Sequence, residues 1–194
     1  MNLNAEYWNK RYLTDDFGWD IGSVSTPLKN YFDQLNNKNL EILIPGAGNA
    51  YEAAYLFENG FTRVHILDFA EEPLKQFAAK YPAFPKENLH HEDFFKHRGQ
   101  YDLIIEQTFF CALNPSLREA YATHMHELLK PGGTLAGLLF DNPMNADHPP
   151  FGGNREEYQR YFDPYFTYKH FEACYNSIKP RDSKELFMVL ERKP

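Results

Sequence analysis

The chain has 194 residues, 43% hydrophobic and 16% aromatic, which suits one folded domain with a full core and argues against disorder. Its formal net charge of −7 repels phosphate backbones and anionic lipid, so nucleic acid and membrane surfaces are poor partners. There is no apolar run near the ~20 residues of a membrane span and no apolar signal region at the start, and Cys111 and Cys174 stand too far apart for a CxxC site. These features predict a soluble, reduced, cytoplasmic protein, which is expected to be a monomer.

In chain order, the first 40 residues are rich in aromatic and polar groups, with a helix expected over 26–35 that carries Pro27 in its first turn. Residues 40–44 read as a strand ended by Pro45-Gly46, 51–59 as a helix closed by Gly60, and 64–67 as a strand ending at Asp68. A helix over 72–80 stops before Pro82, and a weaker strand follows at 88–91. Residues 101–105 form the next strand, 116–129 a helix ended by Pro131-Gly132-Gly133, and 134–140 a buried strand. This alternation predicts an α/β fold with a mostly parallel sheet and helices on both faces. The tail differs. Strands at 166–175 and 185–191 are separated only by the turn-rich stretch 176–183, too short for a crossover helix, so they must pair antiparallel and bring the count to seven strands.

The segment Ile44-Pro45-Gly46-Ala47-Gly48-Asn49-Ala50-Tyr51-Glu52 leaves a strand and enters a helix. Glycines there let the backbone turn and approach a bound ligand without a Cβ clash. Asp68 stands 22 positions after Gly46 at the end of the next strand, where a carboxylate accepts the ribose hydroxyls of an adenosine-containing cofactor. In a dinucleotide fingerprint the third glycine would fall at Tyr51, and a side chain there blocks the packing that a pyrophosphate turn needs. S-adenosylmethionine (SAM) carries no phosphate and tolerates it. Asp93, after the third strand, is placed to accept the exocyclic amine of adenine, with Phe94 offering a ring edge or its N–H. The stretch His90-His91-Glu92-Asp93 is not expected to bind metal, because strand neighbours point to opposite faces.

Several motifs carry a more specific likeness: Glu6-Tyr7-Trp8, Gly18-Trp19-Asp20, Pro45-Gly46-Ala47-Gly48, Asp93-Phe94-Phe95, Phe109-Phe110-Cys111-Ala112-Leu113, Leu129-Lys130-Pro131-Gly132-Gly133 and Pro149-Pro150-Phe151. With them the chain resembles the thiopurine S-methyltransferase family, and within it the plant-type halide, thiocyanate and thiol methyltransferases. The resemblance implies a single-domain Rossmann-like methyltransferase fold, SAM as cofactor and a small-molecule methyl acceptor. It divides the chain into an N-terminal lid, 1–39, and a core, 40–194. Trp8, Tyr12 and Trp19 reproduce the family's aromatic spacing and by resemblance close over the methionine end of SAM, where aromatic faces attract a sulfonium. Because its aromatics would otherwise lie exposed, the lid is expected to order on binding.

The chain departs from the family pattern at Tyr12, often Trp in relatives, at Gln107, often aromatic, and at Phe151, often Tyr. The cofactor assignment tolerates these departures; a halide or thiocyanate acceptor fits them poorly. By resemblance Gln107 stays at the cofactor, while Phe17, Phe109, Phe110, Phe151 and Tyr158 are candidates to line the acceptor pocket and Arg181 to hold an anionic acceptor. Methyl transfer from a sulfonium needs alignment and exclusion of water more than acid–base chemistry. A soft nucleophile such as a thiolate needs no base, and no catalytic residue is assigned. An O- or N-methyltransferase would need one, from Glu106, His148 or Tyr158. Cys111 is expected to be a small buried neighbour of the site. A SAM-binding protein without turnover, or an NAD-dependent oxidoreductase, would keep the glycine turn; Tyr51 and the antiparallel tail disfavour the second.

Overall fold

A computed structural model describes residues 3–194. The first two helices are α1 (Ala5–Leu13) and α2 (Thr26–Phe32). An alternating series follows: β1 (Ile42–Pro45), α3 (Tyr51–Glu58), β2 (Val64–Asp68), α4 (Glu71–Lys80), β3 (Leu89–His91), β4 (Tyr101–Gln107), α5 (Arg118–Leu128) and β5 (Leu129–Phe140). The tail holds α6 (Arg155–Phe162), β6 (Phe166–Ala173) and β7 (Glu185–Arg192).

The strands form one seven-stranded sheet in the order β3-β2-β1-β4-β5-β7-β6. The first five run parallel, and β7 pairs antiparallel with both β5 and β6. Alternation along β1 decides how the two faces are filled. Leu43 joins Leu67, Ile104, Tyr121 and Met125 beneath α5 and α6, whereas Ile42 and Ile44 join Phe32, Ala53, Leu56 and Phe77 beneath α2, α3 and α4. Every residue of β1 is buried, as a parallel strand covered on both sides must be. Strand order reverses at β1, so the ends of β1 and β4 diverge and leave a crevice above them.

The elements fall close to their sequence-derived positions, with two informative differences. The Pro131-Gly132-Gly133 turn does not end the preceding helix, which stops at Leu128. It lies inside β5, where pairing with β4 jumps from Tyr101↔Leu129 to Leu103↔Thr134. Proline cannot donate to the ladder and Gly132 is left-handed (φ 72°), so the strand accommodates the turn as an irregularity. The second difference is α6, for which no helix was expected. Its start is nonetheless written locally: the Asn154 side chain accepts from Glu157 N at 2.9 Å, and Glu156 and Glu157 occupy the first turn.

Candidate active site

A cleft of about 1260 Å³ opens above the C-terminal ends of β1, β2, β4 and β5. Its floor is the β1–α3 turn, where Gly46, Gly48 and Ala50 are all left-handed, with φ of 58°, 52° and 54°. A Cβ on Gly46 would land on the Phe109 ring, and one on Gly48 on the Tyr12 hydroxyl. Glycine is therefore required twice over, for dihedral and for space. Asp68 at the end of β2 locks the turn: its Oδ2 accepts from Gly48 N and its Oδ1 from Ala70 N, each at 2.8 Å. Burial pushes the Asp68 carboxyl above the ordinary carboxylate range, while the N–H groups of Ala70 and Gly48 pull it back.

The N-terminal segment covers this floor. Trp8 and Trp19 meet edge to face with centroids 5.7 Å apart, and Tyr12 meets Trp19 at 6.1 Å. The Arg11 guanidinium sits 4.8 Å from the Trp19 ring centroid, so one cation already engages that aromatic. Three ties hold the segment to the core. Asn9 Oδ1 accepts from Glu72 N at 2.9 Å, Asp20 accepts from Asn49 Nδ2 and from the Tyr51 hydroxyl, and Arg181 Nη2 donates to the Trp19 carbonyl at 2.8 Å.

Of the residues singled out in the sequence, Trp8, Tyr12, Trp19, Gly46, Gly48, Asp68, Asp93, Phe94, Gln107, Phe109 and Arg181 all line the cleft. Arg181 is neither a solvated turn residue nor an unpartnered cation. It is buried, bonded to Trp19 O and to Glu185 Oε1 at 3.4 Å, and lies over the Phe140 ring.

Four proposed acceptor-lining residues do not reach the wall. Phe17 stacks behind Tyr12 at 5.6 Å. Phe110 points into the core against Tyr121 and Tyr158, because the turn that aims Phe109 at the cleft aims its neighbour away. Tyr158 is buried with its hydroxyl donating to Phe140 O at 2.6 Å, and burial pushes its ionisation far up. Phe151 is buried as well, and Pro149 and Pro150 line the cleft in its place.

Glu106 and His148 are likewise absent from the cleft wall. Glu106 is fully buried, with Oε1 accepting from Phe109 N at 2.8 Å and Phe110 N at 2.9 Å, and Oε2 from the Tyr121 hydroxyl. These bonds hold the turn after β4, where Thr108 adopts φ 58°, a costly value for a β-branched residue. Cys111 lines the cleft with its thiol pushed up to about 12 by burial and by Glu106, so it is a neutral wall group and no nucleophile.

The fold adds one residue, Glu52, and one property of a residue already named, Gln107. Glu52, buried on the cleft wall, is pushed up to about 7 by burial, against hydrogen bonds from backbone N–H groups including Ser25. Gln107 lines the cleft with its Oε1 buried and without a hydrogen-bond partner among the described residues. A buried acceptor left without a donor is what a ligand with an N–H or O–H would satisfy.

A family profile described as Thiopurine S-methyltransferase (TPMT) matches residues 3–192. The chain belongs to the thiopurine S-methyltransferase family. It is 28% identical over 162 residues to the probable thiol methyltransferase 2 of Arabidopsis thaliana, a match spanning 81% of this chain and 71% of that one. It is 30% identical over 149 residues to thiocyanate methyltransferase 1 of Brassica oleracea, spanning 74% of this chain and 66% of the relative. The fold is similar to that of 1,6-didemethyltoxoflavin-N1-methyltransferase of Burkholderia thailandensis, with a TM-score of 0.78, 16% identity and coverage of 98% and 87% of the two chains. This family member is a SAM-dependent methyltransferase with the seven-stranded class I fold.

Two outcomes follow for the site. Gly46→Ala is expected to destabilise by about 2 kcal/mol or more, from left-handed strain plus displacement of Phe109, and to weaken SAM binding at least tenfold by calorimetry. The second concerns pH. Glu106 is pushed up to about 7 from an unfolded value of 4.5, with burial as the main cause. Its contribution to stability is therefore present below the unfolded value and lost as pH rises through about 7. Glu106→Gln keeps an oxygen for Phe109 and Phe110 but cannot ionise. Its melting temperature should fall less than the parent's, by a few degrees, between about pH 5 and about pH 8.

Proposed function

We propose that the acceptor is a small organic thiol, methylated on sulfur as its thiolate. The observation that carries this reading is the cleft: at about 1260 Å³ it exceeds the ~300–1,000 Å³ that holds one drug-sized ligand, which leaves room for an organic acceptor beside SAM. Phe109 stands against Gly46, and beyond it the lining is largely apolar, with Leu113, Leu117, Met144 and Pro150 beside Asn114, Ser116 and Asn142. A halide or thiocyanate would leave much of that surface uncovered. The thiol and thiocyanate methyltransferases among the relatives support a sulfur nucleophile. Two buried, unpaired cysteines agree with a reduced, cytoplasmic setting.

SAM, when bound, supplies an electrophilic methyl group on a sulfonium. In this reading Asp68 accepts the ribose hydroxyls with the lone pairs not used by Gly48 and Ala70. Asp93, whose Oδ1 takes Phe95 N at 3.0 Å, offers its other oxygen to the adenine amine. Gly46 and Gly48 let the backbone approach the cofactor, and Trp8, Tyr12 and Trp19 close over its methionine end and exclude water. Phe94 packs at the adenine end, and Gln107 offers its unpartnered Oε1 at the junction between cofactor and acceptor. Phe109 walls the acceptor chamber. Arg181 works indirectly, by pinning the backbone of Trp19.

A second reading is favoured by one observation. Burial pushes the Glu52 carboxyl on the cleft wall up to about 7, where it would serve as general base for a hydroxyl or amine acceptor. A pH–rate profile separates the two, with S-adenosylhomocysteine release measured on an alkyl and a more acidic aryl thiol. For thiolate attack the midpoint should follow the acceptor, near ~8.5 for an alkyl thiol and lower for the aryl one. A midpoint held at about 7 with both acceptors, and abolished by Glu52→Gln, would overturn it in favour of the base.

The lid provides a further check. Trypsin cleavage at Lys10 and Arg11 should slow severalfold when SAM is added, whereas equal rates would show that α1 is equally ordered without ligand.

A further inference from the structure

We propose that His90, Glu92 and His97 form a binding site for a divalent transition-metal ion, zinc by its donor chemistry, beside the adenosine end of the cleft. The alternation that parts His90 from His91 also returns Glu92 to the side of His90. The turn Phe94–Lys96 then doubles the chain back and delivers His97. One donor atom from each of the three residues lies within 4.8 Å of the donors of the other two.

Ligand bonds of about 2.0–2.1 Å in a tetrahedral site place donors about 3.3 Å apart, so closure needs shifts of about 1–1.5 Å at most. One pair is already closer: His97 Nδ1 stands 2.7 Å from Glu92 Oε1. Two imidazoles and a carboxylate are the donor set that zinc takes in three-ligand sites, with water completing the tetrahedron.

The surrounding hydrogen bonds are those a metal site needs. A ligating histidine is oriented by a partner on its other ring nitrogen. His97 Nε2 is held by the Tyr101 hydroxyl at 2.7 Å. His90 Nε2 is held by His65 Nδ1 at 3.0 Å, and His65 Nε2 in turn lies 3.1 Å from Glu41 Oε2. That chain runs carboxylate, imidazole, imidazole; with Nε2 engaged by His65, Nδ1 is the His90 nitrogen that would take the ion. His97 is buried and His90 half-buried, while Glu92 is exposed, so the ion has an entry path from solvent past the carboxylate.

The position links the site to the cleft. Glu92 lines it, and its backbone N–H bonds the Asp68 carbonyl at 3.2 Å, one residue before Asp93. An ion held by Glu92 and His97 would clamp both ends of the segment that carries Asp93 and Phe94.

The test is calorimetric titration of zinc chloride into tag-free, chelator-stripped protein, with the fold of each variant checked by circular dichroism. The expected result is saturable binding near one ion per chain, weakened at least tenfold by His90→Ala and by Glu92→Gln and unchanged by His91→Ala. Both weakening substitutions fall at partly exposed positions, so the result does not rest on buried His97. Cobalt(II) should bind to the same stoichiometry and show the visible absorption of a tetrahedral site. No saturable zinc binding, or parental affinity retained in His90→Ala and Glu92→Gln, would overturn the proposal.

Discussion

The structure depends on one carboxylate reaching across two strand ends. Asp68 closes β2 and takes the N–H of Gly48 in the turn that follows β1, so two adjacent parallel strands are joined above the sheet as well as within it. The turn needs that tie, because Gly46, Gly48 and Ala50 all hold left-handed dihedrals and Ala50 has no glycine freedom to excuse it. Burial costs the carboxyl its solvation and raises its pKa, while the hydrogen bonds from Ala70 and Gly48 pull it back down. The cleft floor, the entry of α3 and the seat of the N-terminal aromatics all inherit their positions from this contact.

The N-terminal segment is then attached from three directions. Asn9 caps the start of α4, Asp20 bonds the residues just beyond the glycine turn, and Arg181 reaches from the turn before β7 to the carbonyl of Trp19. These ties are polar and few, and the segment between α1 and α2 has little apolar anchoring of its own. That combination leaves the segment more weakly anchored than the sheet, since local stability follows buried apolar contact. The last strand pair thus does more than complete the sheet: it presents the arginine that holds the opposite end of the chain.

The buried acids divide by what they face. Glu106 spends both oxygens on backbone and on Tyr121, and so holds Thr108 in a strained turn that aims Phe109 into the cleft. Glu52 is equally buried but opens onto the cleft, facing Arg181 and Asp20. Both are pushed up to about 7 by burial, so a shifted carboxyl is no guide to chemistry until its contacts are known. Cys111 is a similar case, a thiol beside the reaction space whose surroundings keep it neutral.

Local chemistry along the chain determined the order of strands and helices, the antiparallel tail, the glycine turn and its acidic partner. Each of these is written within a few residues: apolar runs of strand length, glycines where φ must be positive, an acid at a strand end, a linker too short for a crossover. Even α6 carries its start in Asn154 and Glu157. What the sequence could not decide was which neighbour faces the ligand. Phe109 and Phe110 are identical side chains one position apart, and only the turn pinned by Glu106 puts the first in the cleft and the second in the core. Tyr158 and Phe151 look like pocket aromatics until packing buries them, and only the fold shows that Arg181 on the cleft wall donates to Trp19 O and Glu185 Oε1. His90, Glu92 and His97 become one cluster only when the turn after β3 folds back. Direction and partnership come from contacts between residues far apart in the chain, and tertiary structure alone sets those.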